Sequence, residues 1–65
     1  MNTFYRWLPG GAAQFSYHEE HSRSKILDAY PEAHFEKRDN AILAWPNREA
    51  FELGQEPIAE IVEMD

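Results

Sequence analysis

The absence of cysteine is the feature that most constrains this 65-residue chain. Neither a disulfide nor a thiolate-bound metal can hold the fold together, so a hydrophobic core has to do so. A chain this short buries only about 60% of the surface that its unfolded form exposes, which leaves a small stability margin. Its nine aromatic side chains (four Phe, two Trp and three Tyr) are expected to supply most of the core volume. The length favours one domain spanning residues 1–65.

The apolar segments favour a soluble, cytoplasmic protein. The longest apolar run, residues 41–45, is far too short to span a bilayer. The N-terminal stretch carries Arg6 within its apolar part and has no basic region before it, so it does not have the pattern of a secretory signal. The lack of cysteine also suits a reducing compartment. We therefore expect no contact with a membrane.

Turn-forming residues divide the chain into short segments whose patterns predict strands and helices. Strands are predicted over residues 3–8, 33–37, 41–45 and 58–64, and helices over 22–30 and 48–53. Residues 12–21 are ambiguous, because the alternation of Phe15 and Tyr17 with polar side chains favours a strand while a helix could also begin there. Ser22 or Ser24 is expected to cap the first helix.

The order β-(β)-α-β-β-α-β predicts an α+β fold, with a small, mainly antiparallel sheet of about four or five strands and two short helices on one face. The last strand has mixed faces and is expected at an edge of the sheet. Asn47 is expected to cap the second helix and Gly54 to end it. Leu43 and Trp45 of the most apolar strand, together with Phe51, are expected to be largely buried.

The stretch Tyr17–His21, which reads YHEEH, raises the question of a metal site. On a helix His18 and His21 lie on one face and could both bind zinc, whereas on a strand they point to opposite faces. The helical zinc-protease pattern needs two histidines four residues apart, and here they are three apart. Glu19 and Glu20 instead suit the positive end of a helix dipole. We expect a solvated helix start and no metal, with a small His-based metal-binding protein as an alternative.

No arrangement of residues indicates an enzyme. Ser16, Ser22 and Ser24 lie near histidines, but no nucleophile, base and acid have a recognisable local context. Gly10 and Gly11 lack the spacing of a phosphate-binding loop and fit a turn. A chain of this size also leaves little room for a pocket that excludes water. We therefore expect no catalytic residue and no cofactor.

The net charge of −6 lies wholly in the last part of the chain. Residues 1–48 contain six basic and six acidic side chains, whereas residues 49–65 contain six acidic side chains and no base. Direct binding to nucleic acid is disfavoured, because phosphates need a basic surface. A partner protein with a basic surface is favoured, since opposite charges speed encounter. Carboxylates spaced about 6–8 Å apart can also stand in for the successive phosphates of a nucleic acid.

These features predict a small acidic, non-enzymatic protein-binding module. We expect an inhibitor that occupies a basic surface of its partner, for example a nucleic-acid-binding surface, as phage and mobile-element proteins that block host defences do. The expected partner-binding residues are Glu49, Glu52, Glu56, Glu60, Glu63, Tyr5 and Trp7. Two alternatives stay open. The acidic segment could serve only to keep a monomeric protein soluble. The protein could also be an assembly module that forms a homodimer through sheet edges.

Overall fold

A computed structural model describes residues 2–64 of the chain and the side chains of residues 2–63. The elements, in chain order, are β1 (Asn2–Trp7), β2 (Gln14–Ser16), α1 (Glu19–Ala29), β3 (His34–Arg38), β4 (Ala41–Trp45), α2 (Arg48–Glu52) and β5 (Ala59–Met64). The expected α+β class is confirmed. The ambiguous residues 12–21 contain both of the expected alternatives, a short strand followed by the beginning of a helix.

All five strands form one antiparallel sheet in the order β2-β1-β5-β4-β3. The prediction that the last strand lies at an edge is wrong, because β5 pairs with β1 on one side and with β4 on the other. The edges are β2 and β3. Acidic residues gave β5 the pattern of a solvated strand, but Glu60 and Glu63 each meet a basic side chain from another strand, Arg6 and Lys37 respectively.

The core lies between α1 and one face of the sheet. Its centre is a cross-strand ladder in which Ile42 of β4 is opposite Ile61 of β5 and Ala44 is opposite Ala59. Ile26 of α1 is fully buried in the same cluster. These five side chains are nearly inaccessible to water, so their burial is the main force that holds α1 on the sheet.

Leu43 lies on the face of the sheet that α1 does not cover, because side chains alternate along a strand and Ile42 faces α1. Leu43 is half-buried, so its burial is less complete than predicted. Trp45 shares this open face and is buried as expected, whereas Phe51, which packs on it, is half-buried. The apolar run of β4 has no polar residue that distinguishes its two faces. Its sequence therefore does not show that Leu43 and Ile42 differ in burial.

The two helices contact different parts of the sheet. α1 lies over β1, β2 and β5, whereas α2 contacts β4. The ring of Phe51 in α2 has its centroid 4.8 Å from that of Trp45 and 4.5 Å from that of His34. Both of these partners belong to the open face, so α2 covers one end of that face and leaves the rest exposed. The two helices therefore lie on opposite faces of the sheet and do not share one face as the sequence predicted.

The first helix begins earlier than the sequence pattern predicts. Its N-cap is His18, whose Nδ1 accepts a hydrogen bond from the backbone amide of His21 at 3.3 Å. Ser22 and Ser24 therefore lie inside the helix, and the prediction that one of them caps it is wrong. The hydroxyl of Ser22 is buried 3.0 Å from that of Thr3 on β1, so Ser22 ties the helix to the sheet instead.

The second helix has the ends that the sequence predicts. Oδ1 of Asn47 accepts a hydrogen bond from the backbone amide of Ala50 at 2.8 Å, which is the expected N-cap. Gly54 follows the helix with a φ of +76°, a left-handed conformation that glycine adopts at little cost. Neither helix of the described residues 2–64 has the length and hydropathy needed to cross a membrane.

Candidate functional site

Three of the predicted acidic residues form an exposed group around α2. Glu49 and Glu52 are exposed on the helix, and Glu56 is exposed in the loop after it. Nε of Arg48 lies 3.8 Å from Oε2 of Glu52, and both side chains are largely in solvent. An exposed pair of this kind contributes less than about 1 kcal/mol and leaves its carboxylate free to meet another cation. We call Glu49, Glu52 and Glu56 the acidic surface.

Glu60 and Glu63 do not belong to this surface. They lie on the central strand β5 and point to opposite faces of the sheet, because they are an odd number of residues apart. Oε1 of Glu60 accepts a hydrogen bond from Nε of Arg6 on β1. Oε1 of Glu63 lies 3.8 Å from Nζ of Lys37 on β3. Both carboxylates have cationic partners within the fold and are less accessible to water than that of Glu52, which makes them poorer candidates for binding a second protein.

An aromatic cluster fixes the position of the acidic surface. Phe51 packs its ring against Trp45 and His34 on the open face of the sheet. The indole N–H of Trp45 donates to the backbone carbonyl of Gln55 at 2.7 Å, which holds the loop that carries Glu56. Packing and hydrogen bonding thus anchor both the helix and the loop, so the backbone that carries the acidic surface is held in place.

Tyr5 and Trp7 lie on the side of the sheet that α1 covers. Both are half-buried and pack against the core cluster. Their ring centroids are 6.2 Å apart in an edge-to-face arrangement, and the Trp7 ring lies 5.9 Å from that of Tyr30 at the end of α1. Their contacts close the core beneath the helix, so the structure does not bring them to the acidic surface.

The most exposed large apolar side chains among those described are Phe15 and Tyr17, with 73% and 84% of their surface accessible. Phe15 lies on the edge strand β2, opposite Phe4 of β1. An open groove of about 330 Å³ lies between Asn2, Phe15, Ser16 and Tyr17. Sequence reasoning assigned no binding role to this aromatic edge. The signal in the sequence was an alternating strand pattern in a stretch without charge.

The YHEEH stretch forms the beginning of α1. His18 serves as the N-cap, and its ring centroid lies 6.3 Å from that of His21. Oε2 of Glu19 accepts a hydrogen bond from Nε of Arg23 at 2.7 Å, one helical turn further on. Within residues 2–64, no group of three or more His, Asp or Glu side chains is arranged to hold a metal ion. Helix capping and the helix dipole explain the residue types in this stretch.

Three hydroxyl groups form a small buried cluster beneath the start of α1. The Thr3 hydroxyl lies 3.3 Å from that of Ser16 and 3.0 Å from that of Ser22. The Ser16 hydroxyl donates to the backbone carbonyl of His18 at 2.7 Å. Among the described hydrogen bonds, none joins these hydroxyls to an imidazole ring or a carboxylate. The cluster therefore satisfies buried polar groups and joins α1 to the sheet, and it does not activate a nucleophile.

Comparisons of the chain with protein-family models, with curated proteins and with solved structures found no match. Two surfaces of the described residues have the chemistry of binding sites, the acidic surface around α2 and the aromatic edge at β2.

Proposed function

We propose that this protein is a small, non-enzymatic module that binds a basic surface of a partner protein through Glu49, Glu52 and Glu56. One observation carries the proposal: these three carboxylates are exposed on a segment that Phe51 and Trp45 hold in place. A fixed group of like charges on a small domain speeds encounter with a surface of opposite charge. The remainder of the binding free energy would come from apolar contacts, and the 67% exposed Leu53 lies beside the carboxylates.

The partner surface that best suits these residues is one that binds nucleic acid. Glu49 and Glu52 lie one helical turn apart, and such neighbours on a helix face have Cβ atoms about 5–6 Å apart. That spacing is similar to the distance between successive phosphates along one strand. A protein that places carboxylates where a partner receives phosphates would exclude nucleic acid, so we propose that the module acts as an inhibitor. A chain without cysteine suits this role in the cytoplasm.

The test is a charge reversal confined to the acidic surface. Glu52→Lys/Glu56→Lys changes the net charge by four units, from −6 to −2. Both side chains are exposed, so the circular dichroism spectrum and the melting temperature should change little. Losing two attractive contacts of about 1 kcal/mol each should weaken binding to a partner captured from a lysate by roughly tenfold to a hundredfold at about 0.1 M salt.

A matched control is Glu20→Lys/Asp28→Lys, which makes the same change in net charge on α1. Glu20 lies near the beginning of the helix and Asp28 near its end, so the two substitutions have opposite effects on the helix dipole. The control should weaken binding less than about threefold. Equal losses in both variants, or an affinity that does not fall as salt rises, would show that the acidic surface serves only solubility.

A further inference from the structure

The two edges of the sheet differ in how they are protected against pairing with another chain. β3 carries Glu36, Lys37 and Arg38, and charged side chains on an edge strand, lysine above all, hinder pairing with a further strand. β2 has no charged residue, and neither does the longer stretch of residues 7–17. Within the described residues β2 pairs only with β1. Its outer edge therefore offers backbone donors and acceptors without the usual protection.

The same edge exposes two aromatic rings. Phe15 and Tyr17 are more than two-thirds accessible to water, which is a large exposed apolar area for a chain of this size. The open groove of about 330 Å³ lies beside them. Because no charged side chain lies on the strand, the edge suits an extended, uncharged segment with apolar side chains, and it does not suit the basic partner proposed for the acidic surface.

The segment of this chain that has those properties is β2 itself. If two β2 edges pair antiparallel about a two-fold axis at Phe15, Gln14 of one copy lies opposite Ser16 of the other, and Tyr17 lies opposite Ala13. Phe4 and Phe15 are already cross-strand neighbours within one copy. Pairing would extend them into a row of four phenyl rings across both open faces, and aromatic cross-strand pairs stabilise sheets.

The charges of the chain also permit this arrangement. The acidic beginning of α1 follows β2 directly, with Glu19 and Glu20 in its first turn. In the antiparallel register the two chains run in opposite directions, so α1 begins beyond one end of the contact in one copy and beyond the other end in its partner copy. The two acidic helix ends are therefore at opposite ends of the contact, each beside an uncharged loop. A parallel arrangement would place them side by side and would be opposed by like-charge repulsion.

We infer that the protein forms a homodimer by antiparallel pairing of two β2 edges, with Phe15 at the two-fold axis. The inference goes beyond the proposed function, because it uses another surface and a partner of different chemistry. The strand is only three residues long. The contact is consequently at the small end of specific interfaces, and a dissociation constant of roughly 10 µM to 1 mM is expected.

The test is the molar mass in solution, measured by sedimentation equilibrium from about 10 µM to about 1 mM, the range of the expected dissociation constant. The native protein should change from monomer to dimer over this range. Phe15→Lys places a charge on the edge at a side chain that is 73% exposed, so the fold should be kept while the dissociation constant rises at least about tenfold. Leu53→Lys is the matched control, because it makes the same change at a 67% exposed side chain beyond α2. It should leave dimerisation unchanged.

The register is tested by cross-linking, for which a chain without cysteine provides a clean background. In Phe15→Cys the thiol of one copy lies opposite the same thiol of the other copy, so an intermolecular disulfide should form rapidly under mild oxidation. In Ala13→Cys the two thiols should be about 13 Å apart along the strands, so this variant should cross-link slowly. A native protein that stays monomeric at about 1 mM would overturn the inference. So would a dimer that survives Phe15→Lys, or one that is lost equally in Leu53→Lys. Equally fast cross-linking of the two cysteine variants would overturn it as well.

Discussion

Truncation of two neighbouring residues in β4 tests which face of the sheet is the core. Ile42 is 2% exposed and lies beneath α1, next to Ile26 and Ile61. Leu43 is half-buried on the open face, which no helix covers at that position. Both substitutions to alanine shorten an aliphatic side chain in the same strand, so the difference between them reports the environment and not the chemistry of the change.

The expected magnitudes differ by about threefold. Ile42→Ala removes three carbons at about 0.8 kcal/mol each, and the cavity left under α1 raises the cost to about 3–4 kcal/mol. Leu43→Ala removes atoms that water already reaches in part and leaves no closed cavity, so it should cost about 1 kcal/mol. At 0.05–0.15 kcal/mol per residue the whole domain is stable by only about 3–10 kcal/mol, so the first loss amounts to roughly a third or more of the total.

Urea unfolding monitored by tryptophan fluorescence measures both costs, because Trp45 is buried in the native state and becomes exposed on unfolding. If Ile42→Ala does not fold, Ile42→Val should still cost about 0.5–1.5 kcal/mol and preserves the comparison. A Leu43→Ala variant that loses as much stability as Ile42→Ala would refute the assignment of the faces. Equal losses would mean that Leu43 is covered by another part of the protein or by a second copy.

Three further changes test local features of the fold. Asn47→Ala should lower the free energy of unfolding by about 1 kcal/mol in urea titrations, because the backbone amide of Ala50 loses its cap. Gly54→Ala should cost about 1 kcal/mol by the same assay, since alanine adopts the positive φ at that position with strain. Zinc at millimolar concentration should leave the melting temperature unchanged, because His18 already caps α1 and residues 2–64 present no third ligand near it; a rise in melting temperature on titration would contradict this.

The parts of the fold that could be predicted from the sequence are those that depend on neighbours along the chain. Asn47 and Gly54 set the ends of α2 through hydrogen bonding and backbone geometry within a few residues. The strand patterns of residues 33–37 and 41–45 predicted β3 and β4, and Asp39, which takes a positive φ, turns the chain between them. Such features need no knowledge of what packs above or beside the segment.

The order of the strands depends on contacts that no local pattern contains. The acidic residues of β5 favoured an edge, yet Arg6 lies more than fifty residues away in sequence and neutralises Glu60 in the centre of the sheet. The cap of α1 was missed for a related reason. Ser22 is a good capping residue in isolation, but its burial beside Thr3 places it inside the helix and leaves His18 at the end.

The candidate binding residues divide in the same way. The exposure of Glu49 and Glu52 follows from a short helix with one apolar side, and that of Glu56 from its place in the loop after Gly54; the sequence shows both features. Alternation correctly placed Tyr5 and Trp7 on one face of β1, but the position of α1 decides which face is covered. Once α1 packs on those two rings, the most exposed aromatic side chains are Phe15 on the neighbouring edge strand and Tyr17 directly after it.

The two proposed surfaces have a joint consequence, because they lie on different parts of the molecule. The acidic surface follows β4 around α2, whereas the dimer contact is at β2, on the far side of β1 and β5. A dimer would therefore carry two acidic surfaces at once, and a second contact made on the same target is favoured by a high effective concentration. Phe15→Lys should then keep the affinity for one isolated basic site while it weakens binding to a target that displays several. Charge reversal on the acidic surface should weaken both, which distinguishes avidity from a direct role of the β2 edge in partner binding.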